Sequence, residues 1–246
     1  MNRMDNDVVI SVENVTMAFN LNKEKVDNLK EYVIKLLRRQ LEFKKFYALQ
    51  DINFQVRRGQ HLGILGLNGA GKSTLLKTIV GVYKPTEGTV KKKGVIAPLL
   101  ELGAGFDPNY TGKENIFLYG AILGYNREYL ERKYDEIVAF SELGKFIDVP
   151  LKNYSSGMKA RLGFSIATAV EPDILILDEP FNALDYKTYE DVKAIIRMLK
   201  AEGKTIFLTS HHFKDIEQLC DQVYSIEDCQ LLPITEEIAA RYREME

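Results

Sequence analysis

Residues 66–74 read GLNGAGKST, which places three glycines, a lysine and two hydroxyls in nine positions. Gly66, Gly71, Lys72 and Ser73 occupy the fixed places of G-x-x-x-x-G-K-[ST], with Asn68, Gly69 and Ala70 inside the loop and Thr74 just after it. Glycines let a backbone curl until successive N–H groups point at one anion. A helix starting near Lys72 adds the partial positive charge of its N-terminus. Lys72 can then reach β- and γ-phosphates, and the Ser73 hydroxyl can ligate Mg²⁺. The plainer reading is a glycine-rich turn without a ligand. The flanks argue against it: LGIL before the loop suits a buried strand, and STLLKTIVGVY suits a helix.

A second group of chemical residues closes the run ILILDEP. Asp178 and Glu179 follow a continuous apolar stretch, the pattern of a strand buried on both faces. In a doubly wound sheet the carboxyl edge holds the ligand. Asp178 there suits the Mg²⁺ shell, and Glu179 suits orienting or deprotonating an attacking water. Solvated acids at a strand end are the competing reading. Upstream, Ser155, Ser156 and Gly157 precede an apolar-periodic helix, which makes a second anion-binding arrangement. One nucleotide does not need two such arrangements in one chain. The second makes sense if it faces a nucleotide held by another copy; an ordinary serine cap is the alternative.

These residues need a sheet to position them. DVVISVENVTMAF alternates like a strand, YALQDINFQVRRGQ resembles a second strand and turn, and KTIFLTSHH a further buried strand. Strands alternating with helices predict α/β architecture around a parallel sheet. The stretch from about 112 to 170 has helical period, caps and glycine stops, and is expected to form its own lobe. The chain has 246 residues and a net charge of −2, so no global field points to nucleic acid. Cys220 and Cys229 have no metal or redox spacing and, without a signal peptide, are expected as reduced cytosolic thiols. No apolar run approaches ~20 residues, the length that spans a membrane.

Taken in order, these motifs resemble the nucleotide-binding domains of ABC transporters over nearly the full chain. The phosphate loop is 66–73, YSSGM at 154–158 stands where L-S-G-G-Q is usual, and the Walker B run is 174–179. NALD at 182–185 matches the D-loop, bringing in Asp185, and SHH offers His211 as the switch histidine. The resemblance implies a P-loop NTPase fold: one domain over 1–246 with a RecA-like core, an antiparallel β subdomain and a helical subdomain. It implies ATP and Mg²⁺ as ligands, and a head-to-tail dimer with two ATP molecules between phosphate loops and opposing signatures. His211 would contact the γ-phosphate, and Lys72 with Mg²⁺ would stabilise its charge.

LLELGAGFDPNYTGKENI at 99–116 and NYSSGMKARLGFSIA at 153–167 narrow the resemblance to the ATPase subunits that export capsule, O-antigen and teichoic-acid polysaccharides. Those pair with an integral membrane permease and move an undecaprenyl-linked polymer. The implied location is peripheral, on the cytoplasmic face of the inner membrane. The chain ends soon after the TSHH strand and its helix, so no C-terminal carbohydrate-binding domain is expected. A soluble ABC-type ATPase acting on ribosomes or nucleic acid is the other class; it usually carries paired modules, coiled coils or basic arms, which are not evident here. A non-hydrolysing scaffold would be expected to lack Glu179.

The chain departs from the general pattern at the Q-loop, the signature and residues 22–45. Glu101 replaces the usual Q-loop glutamine; its carboxylate is a candidate metal-facing ligand, against a surface acid. The signature carries Ser156 for glycine and Met158 for glutamine, which leaves Ser155 and Gly157 as the pair to approach phosphate. The adenine-stacking aromatic is open: Phe19 is the first choice and Tyr47 the second, with core packing the alternative for either. Finally, 22–45 interrupts the pattern with an amphipathic helical period. Residues 23–45 hold eight Lys or Arg against four acids, which suits a helix at a membrane surface as well as one packed on its own domain. Lys35, Arg38 and Arg39 are the basic residues expected to meet lipid head groups or a pyrophosphate.

Overall fold

A computed structural model describes residues 5, 7–22, 43–100, 105–169, 171–182 and 184–245. Two sheets organise the chain. Strands β1 (Val8–Asn22) and β2 (Phe43–Arg57) pair antiparallel, and β4 (Glu87–Lys92) joins the free edge of β1. Residues 8–12 are buried without a break, whereas Val15 and Met17 are buried between more exposed neighbours, so the alternation that predicted a strand holds only in the second half of β1.

The second sheet has the order β5-β6-β7-β3-β8-β9. Its members are β3 (His61–Leu65), β5 (Ile96–Leu99), β6 (Ile174–Asp178), β7 (Thr205–Ser210), β8 (Gln222–Glu227) and β9 (Gln230–Pro233). All pairs are parallel except β8 with β9. Every residue of β3, β6 and β7 is buried, which is why each has a continuous apolar centre, LGIL, ILIL and IFL, with buried polar residues only at its ends. Helix α1 (Lys72–Val80) leaves the end of β3 and contacts β6. Its expected course to Tyr83 is cut short at Gly81, whose φ of 99° closes the helix in the left-handed conformation.

Helices α2 (Gly112–Ile122), α3 (Arg127–Ser141) and α4 (Ser156–Ala169) occupy the stretch expected to be helical, with two short 3₁₀ turns between α3 and α4. Thr111 and Glu114 start α2 with a reciprocal capping box. Phe164, Ile166 and Leu162 of α4 pack in one core with Leu99, Leu175 and Leu177 of the sheet. That core also takes Val192 and Ile196 of α5 (Tyr186–Ala201). Helices α6 (Phe213–Leu219) and α7 (Glu236–Glu244) complete the chain.

The interrupting segment has strand at both ends. Asn22 pairs with Phe43, Leu21 with Lys44 and Asn20 with Lys45, so the helical expectation for 22–45 is corrected at its margins. Backbone pairing extends β1 and β2 beyond where the side-chain pattern stops signalling strand. Residues 23–42, with Lys35, Arg38 and Arg39, lie outside the described residues, as does Glu101. Among the described residues no helix is long and apolar enough to cross a membrane.

Candidate nucleotide site

The carboxyl ends of three neighbouring strands converge here. β3 lies beside β7, and β7 beside β6, with Leu65 opposite Ser210 and Asp178 opposite Thr209. Gly66 continues from β3, Glu179 from β6 and His211 from β7, so parallel pairing alone brings distant residues to one edge.

The loop's shape depends on two glycines. Gly71, at φ 109°, caps the start of α1, and a Cβ there would lie 2.7 Å from the Ala48 carbonyl oxygen. Only glycine relieves both the conformation and the contact. Gly69 also has positive φ (84°), but a Cβ there would meet nothing within 4 Å. Its requirement is conformational, and the surface beside it is open to an approaching group. Gly66 is buried, Asn68 and Ser73 are exposed, and Ala70 and Thr74 are intermediate.

Lys72 is buried, with its ammonium donating to the carbonyls of Gly66 at 2.5 Å and Leu67 at 3.1 Å. The same nitrogen lies 2.9 Å from Glu179 Oε1. This is an ion pair without good hydrogen-bond direction, since Oε1 is buried and has no hydrogen-bond donor. The other oxygen, Oε2, lies 2.6 Å from His211 Nδ1. Burial pushes the Glu179 carboxyl up, but Lys72 and His211 outweigh it and hold the group below its ordinary range. Glu179 also sits at φ 49°, a left-handed conformation that costs a non-glycine residue on the order of 1–3 kcal/mol. Its N–H is fixed by the Thr209 carbonyl at 3.2 Å and hydroxyl at 3.1 Å.

Thr209 is the residue that sequence reasoning missed. Its buried hydroxyl donates to Asp178 Oδ1 at 2.6 Å and accepts from the Glu179 N–H. One hydroxyl therefore holds the Asp178 carboxylate and the Glu179 backbone. Its only sequence signal is a threonine near the end of a buried strand; its partner emerges from the register between β6 and β7. A buried carboxylate and an exposed serine hydroxyl are hard oxygen donors that suit Mg²⁺. Among the described residues no group of three His, Cys, Asp or Glu could hold a metal alone. The donor set therefore fits an ion whose remaining ligands are phosphate and water.

The signature residues gather elsewhere. Ser155 caps α4, its hydroxyl accepting from the Met158 N–H at 3.2 Å, and Ser155 and Ser156 are exposed. Asp185 caps α5, accepting from the Thr188 N–H at 3.1 Å and hydroxyl at 2.7 Å. The two caps line one hollow, which no phosphate-loop residue lines. Gly157 has a packing reason as well: a Cβ would lie 2.4 Å from Thr188 Oγ1.

Of the aromatic candidates, Phe19 is half-buried and meets Tyr83 edge to face, with centroids 5.7 Å apart. Tyr47 is 38% exposed, and its carbonyl accepts from the Cys229 thiol. Phe46, directly opposite Phe19 in register and 50% exposed, is a further aromatic that the sequence pattern did not single out.

The family model described as ABC transporter matches residues 49–182. The chain belongs to the ABC transporter family. This ABC transporter chain carries the family's ATPase domain. It is 43% identical over 228 residues to the O-antigen export system ATP-binding protein RfbB of Klebsiella pneumoniae, covering 92% of this chain and 93% of that protein. It is 40% identical over 243 residues to the teichoic acids export ATP-binding protein TagH of Levilactobacillus brevis, covering 98% of this chain and 66% of the relative. The fold matches the dimeric post-hydrolysis structure of the ATP-binding cassette MJ0796 bound to ADP and Pi. The TM-score there is 0.71 at 23% identity, covering 90% of this chain and 96% of that one.

Proposed function

We propose that this chain is the ATP-hydrolysing motor of a transporter that exports a lipid-linked polysaccharide across the cytoplasmic membrane. The substrate class is supported by the O-antigen and teichoic-acid export relatives. The observation that carries hydrolysis is the Glu179 carboxylate held between Lys72 and His211, beside Asp178 at the same sheet edge.

The phosphate loop and α1 hold the β- and γ-phosphates through backbone N–H groups and the Lys72 ammonium. Ser73 and Asp178 would hold Mg²⁺, which when bound neutralises charge on the phosphate oxygens. Glu179 accepts a hydrogen bond from the attacking water, while His211 holds its other oxygen and contacts the γ-phosphate. While Lys72 pairs with it, Glu179 is a weak base. As Lys72 turns to phosphate, burial acts on the carboxyl with less opposition and raises its basicity where water must be activated.

Ser155, Gly157 and Asp185 line one hollow away from the phosphate loop, with the exposed Ser156 next to them in sequence, which supports their facing a nucleotide held by a second copy. The partners are thus a second chain, head to tail, and a membrane permease that engages the undecaprenyl-linked polymer, at the cytoplasmic face of the membrane. The test is reconstitution with the permease in liposomes. ATPase stimulated by undecaprenyl-pyrophosphate-linked polysaccharide, and abolished by Glu179→Gln, is the expected result. Stimulation by ribosomes or nucleic acid instead would overturn the assignment.

A further inference from the structure

One side chain outside both caps ties them together. Arg161 lies on α4, less than two turns from Ser155. Its guanidinium forks: Nη1 donates to Glu142 at the C-terminal end of α3, and Nη2 donates to Asp191 Oδ2 at 2.6 Å. Asp191 stands on α5, the helix that Asp185 caps and whose Thr188 limits Gly157. Hollows flank this bridge on both sides. Ser155 and Asp185 line one, Phe140 and Met198 the other, and Arg161 and Asp191 line both. Charge pairing thus spans the gap between these hollows, beside the core in which Val192 and Ile196 of α5 pack with α4.

The two arms are unequal. The Glu142 side chain is 71% exposed, and such a pair is screened and contributes little. The Asp191 and Arg161 side chains are 31% and 24% exposed, so water weakens that arm less, and the planar fork gives it direction.

We propose that Arg161, through Asp191, is a positioning residue for ATP hydrolysis in the dimer: it sets the spacing between Ser155–Gly157 at the head of α4 and Asp185 at the head of α5. Both heads then reach one nucleotide of the second copy together. This rests on the composite-site reading above. Neither Arg161 nor Asp191 belongs to the phosphate loop, so the chain's own grip on ATP is independent of them.

The test is steady-state ATPase of the full chain with its permease, alongside ATP binding and thermal melting. Arg161→Gln and Asp191→Asn should each lower kcat by roughly 10- to 100-fold, the scale of a ~1 Å misplacement, with KM for ATP near wild type. Their combination should be no worse than either alone. Glu142→Gln should stay near wild type, and exchanging the charges (Arg161→Asp with Asp191→Arg) should recover part of the loss. If Arg161→Gln fails to fold, Asp191→Asn decides. Unchanged kcat in Asp191→Asn overturns the proposal, and so does a kcat loss matched by lost ATP affinity or melting temperature. Ser155→Phe separates the two readings. If it abolishes turnover while Asp191→Asn is silent, the positioning role alone fails. If Ser155→Phe is itself silent, the composite site fails and the positioning role with it.

Discussion

Lys72 Nζ lies 2.9 Å from Glu179 Oε1, which makes the cation of the phosphate loop and the acid after β6 one largely buried pair. The lysine proposed to hold phosphate thereby also governs the charge of the residue proposed to orient water. His211 holds the opposite oxygen, so Glu179 is gripped from two sides at a strained backbone position.

Glu179→Gln keeps the shape of the side chain and removes its charge. Turnover should fall by ~10² or more, the scale of a lost general base, while ATP binding persists and ATP-bound dimer accumulates. Single-turnover hydrolysis with size-exclusion chromatography in ATP checks this; wild-type turnover would remove Glu179 from its role.

The Glu179–Lys72 pair predicts a pH dependence. A carboxyl held below its ordinary value of 4.5 contributes stability above that pH, lost as pH falls through the folded-state value. Lys72→Met leaves burial opposed by His211 alone, so the acid-induced loss should shrink. Stability at neutral pH should drop by about 1–3 kcal/mol, the cost of leaving a buried polar group without its partner. Urea unfolding of both proteins between pH 3.5 and 7 reads the two curves, and parallel curves would argue against the coupling.

Thr209→Val keeps the shape of the residue and deletes the hydroxyl that serves Asp178 and the Glu179 N–H. A residue that orients a metal-facing ligand typically changes affinity or activity by about 10- to 100-fold. The Mg²⁺ concentration needed for half-maximal ATPase should rise accordingly. An unchanged Mg²⁺ curve would reduce Thr209 to a strand residue.

Gly157→Ala places a Cβ 2.4 Å from Thr188 Oγ1. One of the two side chains must shift, at a cost of about 1–3 kcal/mol for an overpacked site. Thr188→Ala in the same chain removes the clashing atom and should restore the melting temperature. If turnover stays low after melting recovers, Gly157 has a role at phosphate beyond packing.

Much of this chain was legible from residue types alone. The phosphate loop carries its own cause: glycines at positive φ, a lysine and a hydroxyl at set spacing act locally, and neighbouring sequence supplies the strand and helix they need. β3, β6 and β7 were equally readable, because burial on both faces demands an apolar centre in each strand. What needed tertiary structure was every relation between segments far apart in sequence. Thr209 meets Asp178 only through the parallel register of β6 and β7. Gly157 meets Thr188, and Arg161 meets Asp191, only because α4 packs on α5. The strand ends at Asn22 and Phe43 come from backbone pairing, to which side-chain pattern is blind. Where local conformation is set by neighbours along the chain, one sequence suffices to read it. The partner of a given side chain is set by how whole elements pack, and no short stretch of sequence contains that.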